Sequence, residues 1–318
     1  MLAGHKNCWY VAVLAMLGLT SCTNETTHWA PLEVHVGGRT LTSSDEPQRH
    51  TYSWPGVYFE ARFTGPTVRV EVDDAENALH LLVDGELQLV LPRTGRRTLV
   101  LDNLGPGEHT VRLEKVSETQ GPVGSFLGFA VPDAGAALAP PVYERLIEFI
   151  GDSNTVGYGN TSTGRECTSE QVRDTTNSSL TFAPLIARNF GADYRMIASS
   201  GFGVVRNYAG NSPDLAIPVL YDRILHDQPI AELPAQPAAD LIVIRLGSND
   251  FSTPLGEDEA WPDKDAVRAD YRDTYVEFVE RLQRDQSPAH FLLVTDSLFD
   301  DDLKAVQSEL AQRVISHV

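Results

Sequence analysis

The sequence predicts a β-sandwich of jelly-roll type followed by a three-layer α/β/α domain built on a parallel sheet. Three observations predict it. Over residues 32–131 short strands follow one another between turn residues, with no sustained helical stripe. From residue 145 to 318 apolar strands alternate with helical stretches. Between them, residues 132–144 form a linker rich in Ala and Pro. Closely spaced strands without helices indicate a sandwich. Strand–helix alternation gives an open parallel sheet with helices on both faces. A chain of 318 residues has room for both, at the usual ~100–200 residues per domain.

In the first half, Val68-Arg69-Val70-Glu71-Val72 alternates apolar with charged residues, the period of a half-buried strand. Residues 79–83 make a second strand, Asp84-Gly85 a hairpin signal, and residues 87–91 the returning strand. Residues 98–101 and 109–113 add two more, split by Gly105-Pro106-Gly107. In the second half, strands are expected at 145–150, 194–199, 241–246 and 291–294. The β-branched run at 241–246 suits a parallel strand buried on both faces. A helix over 180–190 stops at Gly191. Val267, Tyr271, Tyr275, Phe278 and Leu282 form one helical stripe, and Leu303, Val306, Leu310 and Val314 another.

The formal net charge of -19 excludes nucleic acid and anionic lipid as partners, because both repel an acidic surface. No Gly-rich phosphate loop and no Cys/His cluster at zinc spacing is present, and no metal or organic cofactor is implied. Residues 1–22 read as a targeting segment, with Lys6 as the positive end and an apolar run at 11–19 too short to span a bilayer. Leu19-Thr20-Ser21-Cys22 resembles a bacterial lipobox, in which Cys22 takes the lipid. A plain signal peptide cleaved nearby is the alternative. Both readings export the protein, and the first anchors it to a bacterial membrane, periplasmic or at the cell surface, through Cys22 alone. Cys167 is then left without a mate, as a buried thiol or as half of a bridge.

Ligands of open parallel sheets bind beyond the carboxyl ends of the strands, and three strand ends here carry small polar motifs. The first is Gly151-Asp152-Ser153-Asn154, the second Ser200-Gly201-Phe202-Gly203, the third Gly247-Ser248-Asn249-Asp250. A serine in such a turn exposes its hydroxyl at the sheet edge. Acyl transfer also needs donors converging on an oxyanion, which Gly N–H groups and an Asn amide supply. In this order the blocks resemble the signature of the SGNH/GDSL hydrolases. IGDSNTVGYGN (150–160), SGFGVVRNY (200–208) and LGSNDFS (246–252) are similar to the family-2 carbohydrate esterases. Trp54-Pro55-Gly56, Val83-Asp84-Gly85 and GPGEHTVRLEK (105–115) resemble that family's N-terminal jelly roll.

The resemblance implies Ser153 as nucleophile, with its own N–H, the N–H of Gly201 and the side-chain amide of Asn249 as the oxyanion hole. Gly203 is the alternative to Gly201. Asp152 and Asp250 read as structural, and Phe202, Tyr158 and Trp261 are candidates for a sugar-lining role, with ordinary packing the alternative for each. The implied substrate is acetylated polysaccharide or oligosaccharide, such as xylan or glucomannan, deacylated through an acyl-enzyme. Two other readings stay open: a glycan-binding protein without catalysis, and a lipase or thioesterase on the same fold.

The resemblance also implies a base histidine in an Asp-x-x-His or Asp-x-His block after a fifth strand. Only four strands are legible. His226 ends a helical stretch, His290 starts a strand, and His317 has no Asp two or three residues before it. The base is therefore expected beyond Val318, in roughly 20–40 further residues. A bridge from Cys167 to a cysteine preceding that block, as the resemblance implies, would account for the lone thiol.

Overall fold

A computed structural model of the chain describes residues 28–93, 95–119, 121–133, 136–228, 235–295 and 300–316. The predicted targeting segment with Cys22, and His317, lie outside them. The first half is antiparallel throughout. Its strands are β1 (Ala30–Pro31), β2 (His35–Gly37), β3 (His50–Tyr52), β4 (Tyr58–Thr64), β5 (Val68–Asp74), β6 (Ala78–Val83), β7 (Glu86–Pro92), β8 (Gly95–Leu101), β9 (Glu108–Lys115), β10 (Gly124–Val131) and β11 (Ala137–Leu138). One sheet runs β1-β10-β5-β8, with β3 also on β10; the other runs β11-β4-β9-β6-β7, with β2 on β4. They form the jelly-roll-like sandwich.

Residue chemistry explains the pairing. Val68, Val70 and Val72 of β5 are fully buried while Arg69 and Glu71 are not. Asp84 and Gly85 both take positive φ, 53° and 81°, as the tight turn joining β6 to β7 requires. Between the sheets Phe59 stacks on Phe126 at 4.2 Å. Within the segment expected as a linker, Ala137–Leu138 pairs with β4.

The second half holds a parallel sheet of β12 (Leu146–Gly151), β13 (Asp193–Ala198), β14 (Leu241–Arg245) and β15 (His290–Leu293), in the order β13-β12-β14-β15. Its helices are α1 (Ser153–Val156), α2 (Ser169–Thr175), α3 (Phe182–Phe190), α4 (Ile217–Leu220), α5 (Ser248–Phe251), α6 (Lys264–Asp285) and α7 (Asp300–Ser316). Alternate residues of the strands serve opposite faces. Phe149, Tyr194 and Val243 pack with Ala183 and Ala187 of α3. Ile150, Ile197 and Ile244 share a core with Tyr271, Tyr275 and Leu282 of α6 and Leu303 and Val306 of α7. The predicted stripe of α6 is the buried one. Gly191 ends α3 at φ 59°, a conformation glycine adopts without a Cβ penalty. Because β12 lies between β13 and β14, the chain leaves it in opposite directions, and a crevice opens at its carboxyl end.

The halves are locked together by polar and aromatic contacts. Arg39 of the sandwich reaches the backbone carbonyls of Tyr221 and, at 3.0 Å, Arg223. It also lies near Glu148, which pairs with Arg195 and accepts from Tyr221 Oη at 2.8 Å. All three charged groups are buried, so the cluster holds only while each keeps its partners. Arg112 lies 3.4 Å over the Tyr58 ring, which packs on Tyr194. Gly56 meets the second half so closely that a Cβ there would stand 2.5 Å from Met196 Sδ. The interface fixes the sandwich edge beside the crevice.

Candidate active site

The three strand-end blocks converge on that crevice. A cavity of about 700 Å³ is lined by Ser153, Gly201 and Asn249, together with Tyr158, Ser199, Ser200, Phe202, Tyr208, His226 and, from the sandwich, Glu118 and Thr119. Ser153 is the first residue of α1, directly after the turn that ends β12. Asp152 caps this short helix: its Oδ1 accepts from Asn154 N at 2.9 Å and from Arg245 Nη1 at 3.3 Å. Its carboxylate is fully buried beneath the turn, where it shapes the backbone, and Ser153 stays partly exposed.

Gly201 follows β13 with φ +86°, a conformation that disfavours any side chain. The turn it occupies is held on both sides, by Phe202 N to Ser199 O at 3.3 Å and by Tyr208 N to Gly201 O at 2.8 Å. Asn249, in α5 after β14, is 7% exposed, and its Nδ2 donates to Phe202 O at 2.7 Å. An amide carries two N–H groups, so one holds the turn and one is left for the cavity. Among the described residues, neither the N–H of Ser153 nor that of Gly201 donates to a protein acceptor. Three polar donors at the mouth of a parallel sheet are thus unspent, the arrangement an oxyanion would use. Gly203 differs. Its N–H donates to Asn207 Oδ1 at 3.0 Å, and a Cβ there would lie 2.3 Å from Arg206 O.

Asp250 is buried and accepts at Oδ1 from the N–H groups of Val204, Val205 and Arg206 at 2.9–3.1 Å. Burial pushes its carboxyl up to about 6 while those three donors favour the anion. It organises the 203–206 turn behind Gly201 and does not line the cavity.

Phe202 and Tyr158 line the cavity as expected for sugar-facing aromatics, and Tyr208 joins them; Tyr158 and Tyr208 are half exposed. Trp261 does not belong with them. Its indole N–H donates to Asp270 of α6 at 2.9 Å, away from the lining residues. Cys167 is a free thiol whose Sγ lies 3.0 Å from Ser162 Oγ.

The described histidines of the second half stand in different places. His290 is exposed at the amino end of β15, remote from strand carboxyl ends. His226, at the end of the helical stretch read from the sequence, lines the cavity. Its ring meets Trp54 and Phe202 edge-on at 5.2 and 5.7 Å. Nε2 stands 3.0 Å from Ser199 Oγ, and Nδ1 contacts the Asp227 carboxylate. The imidazole is therefore engaged by Ser199, and no hydrogen bond joins Ser153 Oγ to a histidine among the described residues. Sequence reasoning also missed Glu118, Thr119 and Ser199. Glu118 stands three residues past the jelly-roll stretch at 105–115, and nothing local marks it as a cavity residue.

Comparison with known proteins finds relatives over both halves of the chain. Residues 36–141 match the family described as Carbohydrate esterase 2 N-terminal, and residues 147–301 match GDSL-like Lipase/Acylhydrolase. The chain is 44% identical over 286 residues to an acetylxylan esterase / glucomannan deacetylase of Cellvibrio japonicus, covering 89% of this chain and 79% of that one. A solved carbohydrate esterase whose active site displays divergent catalytic and non-catalytic binding functions superposes with TM-score 0.80 at 43% identity, over 89% of this chain and 86% of the other. A family-two carbohydrate esterase from Clostridium thermocellum, solved in complex with cellohexaose, gives TM-score 0.74 at 27% identity, over 89% and 85%.

Proposed function

Because the chain belongs to the family-2 carbohydrate esterases, on the SGNH/GDSL hydrolase fold, we propose that it removes acetyl groups from polysaccharide or oligosaccharide through an acyl-enzyme on Ser153. The observation that carries this reading is the partly exposed Ser153 sharing one cavity with three donors, the N–H groups of Ser153 and Gly201 and the second N–H of the Asn249 amide. Ser153 Oγ attacks the acetyl carbonyl carbon and gives its proton to a histidine base, one the described residues do not bring to it. The three donors hold the oxyanion of the tetrahedral intermediate. Collapse expels the sugar hydroxyl, which takes the proton, and leaves acetyl-Ser153. Water then repeats the sequence in reverse roles, and acetate departs.

The exposed faces of Tyr158 and Tyr208 at the cavity rim suit the apolar faces of sugar rings, and a chain of net charge -19 favours a neutral polymer over an anionic one. Acetylated xylan and glucomannan fit this chemistry. In a series of chromogenic esters, the full-length protein is expected to prefer acetyl over butyryl and longer chains, and to release acetate from acetylated xylan or glucomannan. A rate that rises with acyl length would assign it instead to lipase or thioesterase chemistry. Binding to glycan with no acetate release would assign it to recognition without turnover.

Export and a lipid anchor at Cys22 belong to the same proposal, supported by Leu19-Thr20-Ser21-Cys22 behind a short apolar run. In a bacterial host, Cys22→Ala is expected to abolish palmitate labelling and to move the protein from the membrane pellet to the soluble exported fraction. Unchanged labelling in that variant would contradict the anchor.

A further inference from the structure

One wall of the cavity comes from the sandwich, through the segment that follows β9. Glu118 Oε1 accepts from Ser200 N at 2.7 Å, across 82 residues and between the two halves. Ser200 immediately precedes Gly201. The peptide before the 200–201 unit is therefore pinned by Glu118, and the peptide after it is pinned by Tyr208 N on Gly201 O at 2.8 Å. The unit between them carries the Gly201 N–H. With φ +86° and no Cβ, a glycine peptide has few steric barriers to rotation, so its direction depends on what holds its two neighbours.

Glu118 is itself built into a rigid place. Thr119 Oγ1 donates to Ser53 O at 2.8 Å and Asn77 Oδ1 at 2.9 Å, and Ala78 N donates to Ser117 Oγ at 2.9 Å. From the hydrolase half, Ser178 N donates to Val116 O at 2.8 Å. Beneath the segment the buried Lys115 ammonium donates to Ser117 O and interacts favourably with Glu118, Asp74 and Asp227. A carboxylate beside a developing oxyanion would oppose it by Coulomb repulsion. The Ser200 N–H and the Lys115 cation offset that charge.

We propose that Glu118 is a positioning residue which the N-terminal sandwich contributes to the esterase reaction, aiming the Gly201 N–H by holding the Ser200 amide. The sandwich is then a working part of the catalytic site. This rests on Gly201 serving as an oxyanion donor. What Ser200 N–H requires is an acceptor at Oε1 reach, and neither the negative charge nor a particular acid matters.

The test compares Glu118→Ala, Glu118→Gln and Glu118→Asp in the full-length protein, with an acetyl ester and with thermal melting alongside. Misplacing a catalytic group by about 1 Å can cost on the order of 10²-fold, so Glu118→Ala is expected to lower kcat by about 10- to 100-fold with KM little changed. Glu118→Gln keeps an acceptor oxygen at the same reach and is expected to restore most of the rate. Glu118→Asp keeps the charge, is one methylene short, and is expected to remain impaired. If the Ala variant does not fold, the contrast between Gln and Asp decides alone. Wild-type kcat in a folded Glu118→Ala protein, or in Glu118→Asp, or a Gln variant as slow as the Ala variant, overturns the inference. Ser153→Ala separates the two levels. If that variant retains activity, the site reading itself fails; if it is inactive while Glu118→Ala keeps its kcat, only the role of Glu118 fails.

Discussion

Replacing Ser153 with Ala in the full-length protein is expected to reduce acetyl-ester hydrolysis to near background, a loss on the order of 10⁶ in kcat when a serine nucleophile is removed. The fold should be untouched. Ser153 is partly exposed at the start of α1, and the turn beneath it is held by the Asp152 carboxylate, through Asn154 N and Arg245. Only a hydroxyl is lost, so melting temperature and sugar binding should stay near those of the parent. Retention of more than a small fraction of the rate, measured with enzyme free of host esterases, would remove Ser153 from the nucleophile's role.

Asn249→Ala carries the second-largest expected effect. Losing one oxyanion donor typically costs about 10²–10³ in kcat, or roughly 3–4 kcal/mol of transition-state stabilisation. The variant also frees the Phe202 carbonyl, which now accepts from Asn249 Nδ2 at 2.7 Å, and so slackens the turn that carries Gly201. Both consequences fall on the transition state, so kcat and kcat/KM should drop together. A change confined to KM would make Asn249 a substrate-binding group, and a protein that no longer folds would make it structural.

Much of this was legible in local sequence, and the exceptions have physical causes. The strand β5 announces itself because one face is buried and the other is not. Its neighbour β4 does not, since Tyr58 and Glu60 on the side away from the sandwich core are covered by the second half and by Tyr143. Burial on both faces erases the alternation that marks a strand. In β10 the register shifts between Phe126 and Gly128, which breaks the period of two. The three strand-end blocks were readable because each packs its chemistry into a few consecutive residues. Glu118 and His226 were not. Their parts depend on contacts 82 and 27 residues away, with Ser200 and Ser199, the first across the two halves, and no spacing rule reports a side chain's partner so far along the chain. Trp261 takes the packing alternative open to any aromatic near the third block, covering a helix beside Asp270.

Two of the serines lining the cavity, Ser153 and Ser199, differ in standing, and this gives the account its sharpest test. Ser199 Oγ lies 3.0 Å from the ring of His226, which contacts Asp227, a serine–histidine–carboxylate chain. Yet Ser199 is 3% exposed, whereas the partly exposed Ser153 stands with the candidate oxyanion donors at the mouth of the sheet. Treating the full-length protein with a serine-directed phosphonate ester and mapping the modified peptide by mass spectrometry distinguishes them. The expected result is a single adduct on Ser153, blocked by prior incubation with acetylated xylo-oligosaccharide and accompanied by proportional loss of esterase activity. An adduct on Ser199, or full inactivation with Ser153 unmodified, would contradict the central claim.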